Sequence, residues 1–178
     1  MRIILALLTL SLSMGCSISS KLKNLDDEEY SHYMALRVYM DPPDGAGKRT
    51  KAERKEFFKL KTRAERDQWL KDKGYWDRFY QYDPHIRQKV VDGQVQIGWD
   101  KHMVYMAWGR PFLRRKLPGR NAQRSEMFIY RFEELQDGTH QVWVKGSKDT
   151  YKAARLYTKE LIVDDDKIAE IRERDAVW

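Results

Sequence analysis

The chain has 178 residues, 42% of them hydrophobic and 12% aromatic, which suits one folded domain and excludes a large multidomain enzyme or a globally disordered chain. Lys and Arg (34) outnumber Asp and Glu (27), so the formal net charge is +7 at pH 7. That charge would ordinarily favour a nucleic-acid partner, but the N-terminal segment predicts a compartment in which we expect none. The one Cys excludes an intrachain disulfide.

The first sixteen residues have the layout of a secretion signal. Met1 and Arg2 give a positive start, and the run from Ile3 to Met14 carries no charge. As a helix this run would rise only about 18 Å, well short of the roughly 30 Å hydrocarbon core of a bilayer. We therefore predict that residues 1–15 are an export leader rather than a permanent membrane span.

The only Cys of the chain, Cys16, directly follows this run and Gly15. Its placement resembles the lipobox of bacterial lipoproteins, in which the leader is removed before a diacylglyceryl-modified Cys, although Ser13 stands where an aliphatic residue is usual. The resemblance implies that residues 1–15 are a lipoprotein signal peptide and that Cys16 carries the lipid. A plain signal peptide with a chance Cys is the alternative.

A lipid on Cys16 would determine where the protein is. Each buried methylene contributes about 0.8 kcal/mol, so acyl chains such as palmitate on one residue would hold the chain to a bilayer nearly permanently. Ser17 rather than Asp follows the Cys, and by resemblance to enterobacterial sorting this favours the outer membrane. We expect a lipid-anchored protein on the periplasmic face of the bacterial outer membrane, with residues 16–24 as a polar tether.

Residues 25–92 have the signals of a mostly helical segment. The four carboxylates of Asp26–Glu29 favour the first turn of a helix that runs to about Tyr39. Two capping boxes of the form Ser/Thr-x-x-Glu, at Thr50–Glu53 and Thr62–Glu65, predict two further helix starts.

Two later signals mark helix boundaries in the same segment. Gly74 predicts the end of the helix that starts at Thr62, and Asp83-Pro84 predicts an N-cap followed by proline at the first helical position. Four aromatic residues here are expected in the core: Trp69, Trp76, Phe79 and Tyr80.

From residue 93 to residue 178 the pattern changes to one short helix followed by strands. Asp100 can cap this helix, and Gly109 with Pro111 ends it. Its predicted apolar face comprises Met103, Val104, Ala107 and Trp108. The strand candidates are Met127–Phe132, Gln141–Val144, Leu156–Val163 and Ile168–Arg172. We predict an α+β fold: an N-terminal helical segment followed by a short helix packed on a three- to four-stranded antiparallel meander sheet.

The residues around the short helix match a family pattern. The run Val95-Gln96-Ile97-Gly98-Trp99-Asp100 and the residues after it resemble the opening of the SmpA/OmlA, or BamE, family of outer-membrane lipoproteins. The matching positions are Gly98, Val104, Gly109 and Pro111. Trp99, Asp100 and Trp108 replace the usual Met, Ser or Thr, and Leu. The resemblance covers about residues 93–173 and implies a role in supporting outer-membrane protein assembly.

A second, weaker similarity is to the GWxTD lipoproteins, a family of uncharacterised role. It is carried by Phe58-Lys59-Leu60, Glu65-Arg66, Trp69 and Gly98-Trp99. The Thr-Asp that names the family is missing, because Asp100, Lys101 and His102 follow Trp99.

The sequence predicts no reaction. The His residues at positions 32, 85, 102 and 140 are scattered, and the chain has no Gly-x-Ser-x-Gly, Gly-rich phosphate loop or HExxH motif. We therefore expect no catalytic residue, no metal and no cofactor. Asp100 and His102 are close in sequence, but a helix cap and a surface His explain them. Asp164-Asp165-Asp166 is expected to form a charged hairpin tip rather than a calcium site.

A run of basic residues is the main indication of function. Between Arg110 and Arg124 the chain has six cations and no acidic residue. Such a run is either a solvated loop or a docking surface, since Arg binds phosphates and carboxylates bidentately. The candidate interaction surface comprises Arg110, Arg114, Arg115, Lys116, Arg120 and Arg124. Phe112 and Leu113 beside it can insert into a membrane surface or a partner, or belong to an edge strand.

These observations leave two classes of function open. The first is a non-catalytic, lipid-anchored envelope lipoprotein that acts as a binding or scaffold module, with an envelope protein as partner and contact with anionic lipid or lipopolysaccharide. The second is an envelope enzyme or polymer-binding protein that acts on peptidoglycan or lipopolysaccharide. A GWxTD-type lipoprotein of unknown role is a further alternative within the first class.

Overall fold

A computed structural model of the chain describes residues 21–40, 49–143 and 153–175. The predicted leader, Cys16 and most of the tether lie outside these ranges. The described helices are α1 (Asp27–Met40), α2 (Arg49–Phe57), α3 (Arg63–Asp72), α4 (Trp76–Tyr80), α5 (Pro84–Val91) and α6 (Lys101–Trp108). The described strands are β1 (Leu113–Lys116), β2 (Ser125–Leu135), β3 (His140–Val142), β4 (Ala153–Asp164) and β5 (Lys167–Asp175).

Helix α1 lies at the centre of the helical layer and contacts α2, α4, α5 and α6. Tyr33, Leu36 and Met40 are three and four residues apart, so they share one face, and each is 2% exposed or less. The segment is helical as predicted, and α1 ends one residue beyond the predicted Tyr39.

The helix boundaries test the predicted caps one by one. Thr62 caps α3, since its side chain accepts a hydrogen bond from Glu65 N while the Glu65 carboxylate accepts one from Thr62 N. A helix is also present at the capping box predicted at Thr50, since α2 begins at Arg49, one residue before it. Asp83 precedes α5 as predicted, but its side chain makes no capping hydrogen bond.

The predicted tether ends earlier than residue 24. Leu22 and Leu25 are partly buried and pack against the hydrophobic core. Asn24 N donates to Lys21 O at 3.1 Å, which closes a turn before α1. The segment from Lys21 to Leu25 is therefore part of the folded body, because its apolar side chains cover the core.

The sheet is antiparallel with the strand order β1-β2-β4-β5, and β3 also pairs with β2. The predicted α+β class with helices packed on an antiparallel sheet is confirmed. The described residues form a sheet of five strands, whereas three to four were predicted. The additional strand is β1, because Leu113–Lys116 pairs with β2 instead of forming a loop. β3 departs from a simple meander: it lies against the second half of β2, beyond the part that β1 covers.

Helix α6 packs on the sheet through aromatic contacts. Tyr105 stacks on Phe128 with ring centroids 5.6 Å apart, and Trp108 meets Tyr130 edge-on at 5.2 Å. Val104 is fully buried as predicted, whereas Met103 and Ala107 are only partly buried. Tyr105 and Met106 are also buried, although they lie off the predicted face. Tyr105 is covered by Phe128 of the sheet, and α1 and α5 also pack against α6.

One hydrophobic core runs through both the helical segment and the sheet. At the predicted boundary near residue 93, the indole Nε1 of Trp108 donates to Gly93 O at 2.8 Å. The expected core aromatics also join it: Phe79 is buried, and three others are partly buried against it, namely Trp69, Trp76 and Tyr80. The two predicted segments therefore pack on each other directly.

Candidate functional site

The pleat of β1 separates the neighbouring cations of the basic run. Arg114 lies opposite Phe128 of β2, on the sheet face that the helices cover, and Lys116 lies two residues along on the same face. Arg115 lies opposite Met127 and points to the other face. Three cations that are consecutive in sequence are thus divided between two surfaces.

Arg114, Lys116 and Arg124 line one open groove together with Glu126. The groove has a volume of about 420 Å³. Three of the six cations predicted as an interaction surface are therefore brought together around one carboxylate. We refer to this feature, defined by Arg114, Lys116, Arg124 and Glu126, as the basic groove.

Glu126 holds two of the three cations in place. Its carboxylate accepts a bidentate pair of hydrogen bonds from Arg114, Nε to Oε1 at 2.9 Å and Nη2 to Oε2 at 2.7 Å. Arg124 Nη2 donates to the same carboxylate at 3.3 Å. Glu126 is 4% exposed, so the carboxylate forms the floor of the groove while the guanidinium groups remain largely in contact with solvent.

The protonation state of Glu126 follows from these neighbours. Burial raises the pKa of its carboxyl, but the hydrogen bonds and positive charges of Arg114 and Arg124 outweigh burial and hold the pKa below its ordinary value. Glu126 is therefore an anion at neutral pH. The same contact raises the pKa of the Arg114 guanidinium further above neutrality.

The tip of the β4–β5 hairpin positions Arg124. The backbone N–H of Arg124 donates to Asp165 Oδ1 at 2.9 Å, and Asp165 N donates to Arg124 O at 2.9 Å. Asp165 and Asp166 both have positive φ, 45° and 70°, as a two-residue hairpin turn requires. The prediction that Asp164–Asp166 form a hairpin tip is confirmed, and this tip also helps to build the groove.

The other three predicted cations lie outside the groove. Arg120 is held by Asp164 through Nε to Oδ1 at 3.1 Å and Nη2 to Oδ2 at 2.7 Å. Arg115 lies on the opposite face of the sheet, and Arg110 lies in the connection between α6 and β1. Phe112 packs edge-on against Trp143 at 5.2 Å, and Leu113 is the first residue of β1 and 38% exposed.

Sequence reasoning missed Glu126. The available signal was its position two residues after Arg124 at the start of an alternating strand. Its role became visible only with the register, in which Lys116 lies directly opposite Glu126.

Asp100 and His102 belong to a structural network. Asp100 Oδ1 accepts from His102 N at 2.8 Å and from Met103 N at 3.1 Å, which caps α6 as predicted. His102 Nδ1 lies 3.2 Å from the hydroxyl of Tyr39, so this His is partly buried against α1 rather than being a surface residue. Burial lowers the pKa of His102 and raises that of Tyr39 to about 12, so both are neutral at pH 7.

A second polar cluster is buried between α1, α3 and α4. Arg66 Nε donates to Glu29 Oε1 at 2.7 Å, and both residues are less than 9% exposed. His32 is fully buried, its Nδ1 lies 2.9 Å from the hydroxyl of Tyr80, and its Nε2 lies 3.8 Å from Asp67 Oδ1. Burial lowers the pKa of His32, so the imidazole is neutral at pH 7.

Neither cluster has the composition of a metal centre. Within residues 21–40, 49–143 and 153–175, no three His, Cys, Asp or Glu side chains are grouped so that they could hold a metal ion. In the same ranges, no helix has both the length and the apolar character needed to cross a bilayer.

No protein-family model, curated protein or solved structure matches the chain. The resemblances to the SmpA/OmlA and GWxTD families therefore remain predictions from short motifs. The structure gives a local reason for two of the matched positions: Gly98 and Gly109, on either side of α6, have φ of 87° and 80°, which favours Gly over other residues.

Proposed function

We propose that the protein is a lipid-anchored lipoprotein of the bacterial cell envelope that acts as a non-catalytic binding module, with the basic groove as its docking site. The observation that carries this proposal is the convergence of Arg114, Lys116 and Arg124 around Glu126. Charged side chains that are held in place around an open depression can recognise a partner at little cost in side-chain ordering.

The position of the fold relative to the predicted anchor supports the same function. The described part of the fold begins at Lys21, five residues after Cys16. A fully extended chain spans at most about 3.6 Å per residue, so a lipid on Cys16 would hold the body within about 18 Å of the bilayer surface. A protein tethered so closely meets its partners at the membrane or in the layer beside it.

The motif resemblance favours a role in the outer membrane. Gly98, Val104, Gly109 and Pro111 follow the spacing of the SmpA/OmlA family, and the short helix they surround packs on an antiparallel sheet. On this basis we propose a supporting role in outer-membrane protein assembly or envelope integrity, with an envelope protein as partner.

The first experiment is mass spectrometry of the protein isolated from its native cells. We expect the mature chain to begin at Cys16 and to carry diacylglyceryl. A retained leader, or an unmodified thiol in a soluble fraction, would overturn the anchored location.

The second experiment places a photo-crosslinking amino acid at position 116, in the basic groove, and in a matched control at position 115. The two positions are adjacent in β1 but belong to opposite faces of the sheet. We expect a crosslinked envelope component from position 116 and little from position 115. Equal yields from both positions would show that the groove is not the docking site.

A further inference from the structure

The composition of the basic groove defines the charge of a ligand that would suit it. Arg114, Lys116 and Arg124 contribute three positive charges and Glu126 one negative charge, which leaves a net charge of +2. A monoanion would leave the groove positive, whereas a dianion would neutralise it. The adjacent hairpin tip adds carboxylates outside the groove: Asp164 and Asp166 are paired with Arg120 and Lys101, and Asp165 accepts a hydrogen bond from the backbone N–H of Arg124. The net charge of +2 therefore counts the lining residues alone.

The three cations of the groove also have hydrogen-bond donors that no described residue of the chain accepts from. Arg114 uses Nε and Nη2 for Glu126, and its Nη1 makes no hydrogen bond to any residue that the structure describes. The side chain of Lys116 is exposed and makes no ion pair with the described part of the chain. Arg124 reaches Glu126 only through Nη2, at 3.3 Å and 3.4 Å. Each cation thus retains donors for a ligand.

We propose that the basic groove is a binding site for a phosphomonoester, with Arg114, Lys116 and Arg124 as its ligands and Glu126 as the positioning residue that orients the two guanidinium groups. The inference deepens the proposed function and rests on it, since it gives the chemistry of the docking site named there.

A phosphomonoester fits these residues better than the other common anions. It carries a charge of about −1.5 to −2 at pH 7 and presents three acceptor oxygens, which matches the net charge and the number of cations. A carboxylate or a phosphodiester carries only one negative charge. The planar guanidinium forks can each bind two phosphate oxygens, while Lys116 acts as a point charge.

The shape of the groove allows the phosphate to be attached to something larger, since the depression lined by the four residues is open to solvent. Because the groove is open, the rest of the ligand can extend into solvent. A phosphorylated lipid headgroup and a soluble phosphate ester both meet this description.

The test is isothermal titration calorimetry of the full chain, purified in a non-ionic detergent, at 0.15 M salt. The probes are phenyl phosphate, a monoester, and diphenyl phosphate, a diester with the same aromatic group. We expect phenyl phosphate to bind at least about tenfold more tightly. Equal affinity for the two probes, or no measurable binding of phenyl phosphate, would overturn the proposal.

Matched variants separate a built site from general positive charge. Arg114→Gln and Lys116→Gln should each weaken phenyl phosphate binding about tenfold or more, because each removes a charged donor. Arg115→Gln removes the same charge from the opposite sheet face and should leave the affinity unchanged. If Arg115→Gln weakens binding as much as Arg114→Gln does, the groove is not the site. Lys116 has no ion pair within the described residues, so its variant keeps the test valid if Arg114→Gln fails to fold.

Vesicles identify the source of the phosphate. Those containing phosphatidic acid, a phosphomonoester lipid, are compared with phosphatidylglycerol vesicles matched for surface charge. Preferential retention by phosphatidic acid, lost in Lys116→Gln, supports a lipid source, and phenyl phosphate binding without such retention supports a soluble one. Equal retention by both lipids in a chain that binds phenyl phosphate therefore assigns the site to a soluble ester, whereas preferential retention by phosphatidylglycerol would contradict a monoester site. A chain that carries lipid on Cys16 and crosslinks from position 116 but binds no monoester would refute this inference and leave the proposed function standing.

Discussion

The phenol of Tyr82 donates a hydrogen bond to Asp100 Oδ2 at 2.7 Å, while Oδ1 of the same carboxylate caps α6. Tyr82 follows α4 in the helical segment, and Asp100 opens the helix that lies on the sheet. One carboxylate therefore both starts a helix and fastens the two parts of the molecule to each other.

Asp100→Ala should lower the free energy of unfolding by about 1 to 3 kcal/mol, because it removes the cap of α6 and leaves the phenol of Tyr82 unpaired. Tyr82→Phe should cost about 1 kcal/mol, since the cap remains. Urea denaturation measures both. Asp100→Asn retains an acceptor oxygen, so its loss in free energy of unfolding should lie between those of Asp100→Ala and Tyr82→Phe. A larger loss for Tyr82→Phe than for Asp100→Ala would contradict this division of roles.

The buried pair Arg66–Glu29 should respond strongly to loss of one partner. Arg66→Met leaves the Glu29 carboxylate, which is 2% exposed, without its main counter-charge and should cost about 3 kcal/mol or more. The matched control is Arg63→Met in the same helix, whose ion pairs are largely exposed, and its effect should be clearly smaller.

A double variant tests whether the cost arises from the uncompensated charge. Arg66→Met combined with Glu29→Leu should destabilise the protein less than Arg66→Met alone, because no buried charge then remains. Thermal denaturation of the double variant and of the single variants Arg66→Met and Glu29→Leu measures this. If the losses of stability in the two single variants simply add up in the double variant, the uncompensated charge is not the cause.

Stability should decrease as pH falls from 7 to 5.5. Burial lowers the pKa of His32 and His102 in the folded chain, so the unfolded chain binds more protons below its ordinary His pKa of about 6.5. The contribution is fully present above pH 6.5 and is lost as the pH falls towards the folded-state pKa. For one His, the slope approaches at most about 1.4 kcal/mol per pH unit.

Urea denaturation at pH 7.5 and pH 5.5 measures this dependence. His32→Gln should reduce the difference in unfolding free energy between the two pH values, and His102→Gln should reduce it by a smaller amount because His102 is less buried. Both measurements stay above the range in which most carboxylates titrate. An unchanged difference in His32→Gln would show that His32 is not the titrating group.

Glu126→Gln should lower the free energy of unfolding by about 1 to 2 kcal/mol, because Arg114 loses a bidentate charged partner, although solvent access to the guanidinium limits the loss. The native pKa of Glu126 is lowered, so its contribution is present above the unfolded Glu pKa of about 4.3 and is lost as pH falls below it. The difference between wild type and Glu126→Gln should therefore diminish at pH 3 in thermal denaturation. A difference that is constant with pH would indicate that the charge of Glu126 is not the cause.

The amino-acid sequence by itself determined the α+β class and most helix and strand positions, because these depend on patterns local to the chain. Thr62 and Asp100 form caps with residues two or three positions away, and the alternation of Phe128, Tyr130 and Phe132 marks the buried face of β2. The basic run was also visible, since a cluster of charge is a property of composition. The site in outline thus came from residues that are close in sequence.

The tertiary structure decided which cations act together. The pleat of β1 placed Arg114 and Arg115 on opposite faces, and the register with β2 brought Glu126 beneath the groove. Arg120 does not line the basic groove, because its guanidinium is paired with Asp164, which is 44 residues away in sequence. Contacts of this kind depend on strand pairing between distant segments, and a local pattern contains no information about which segments will pair or in what register.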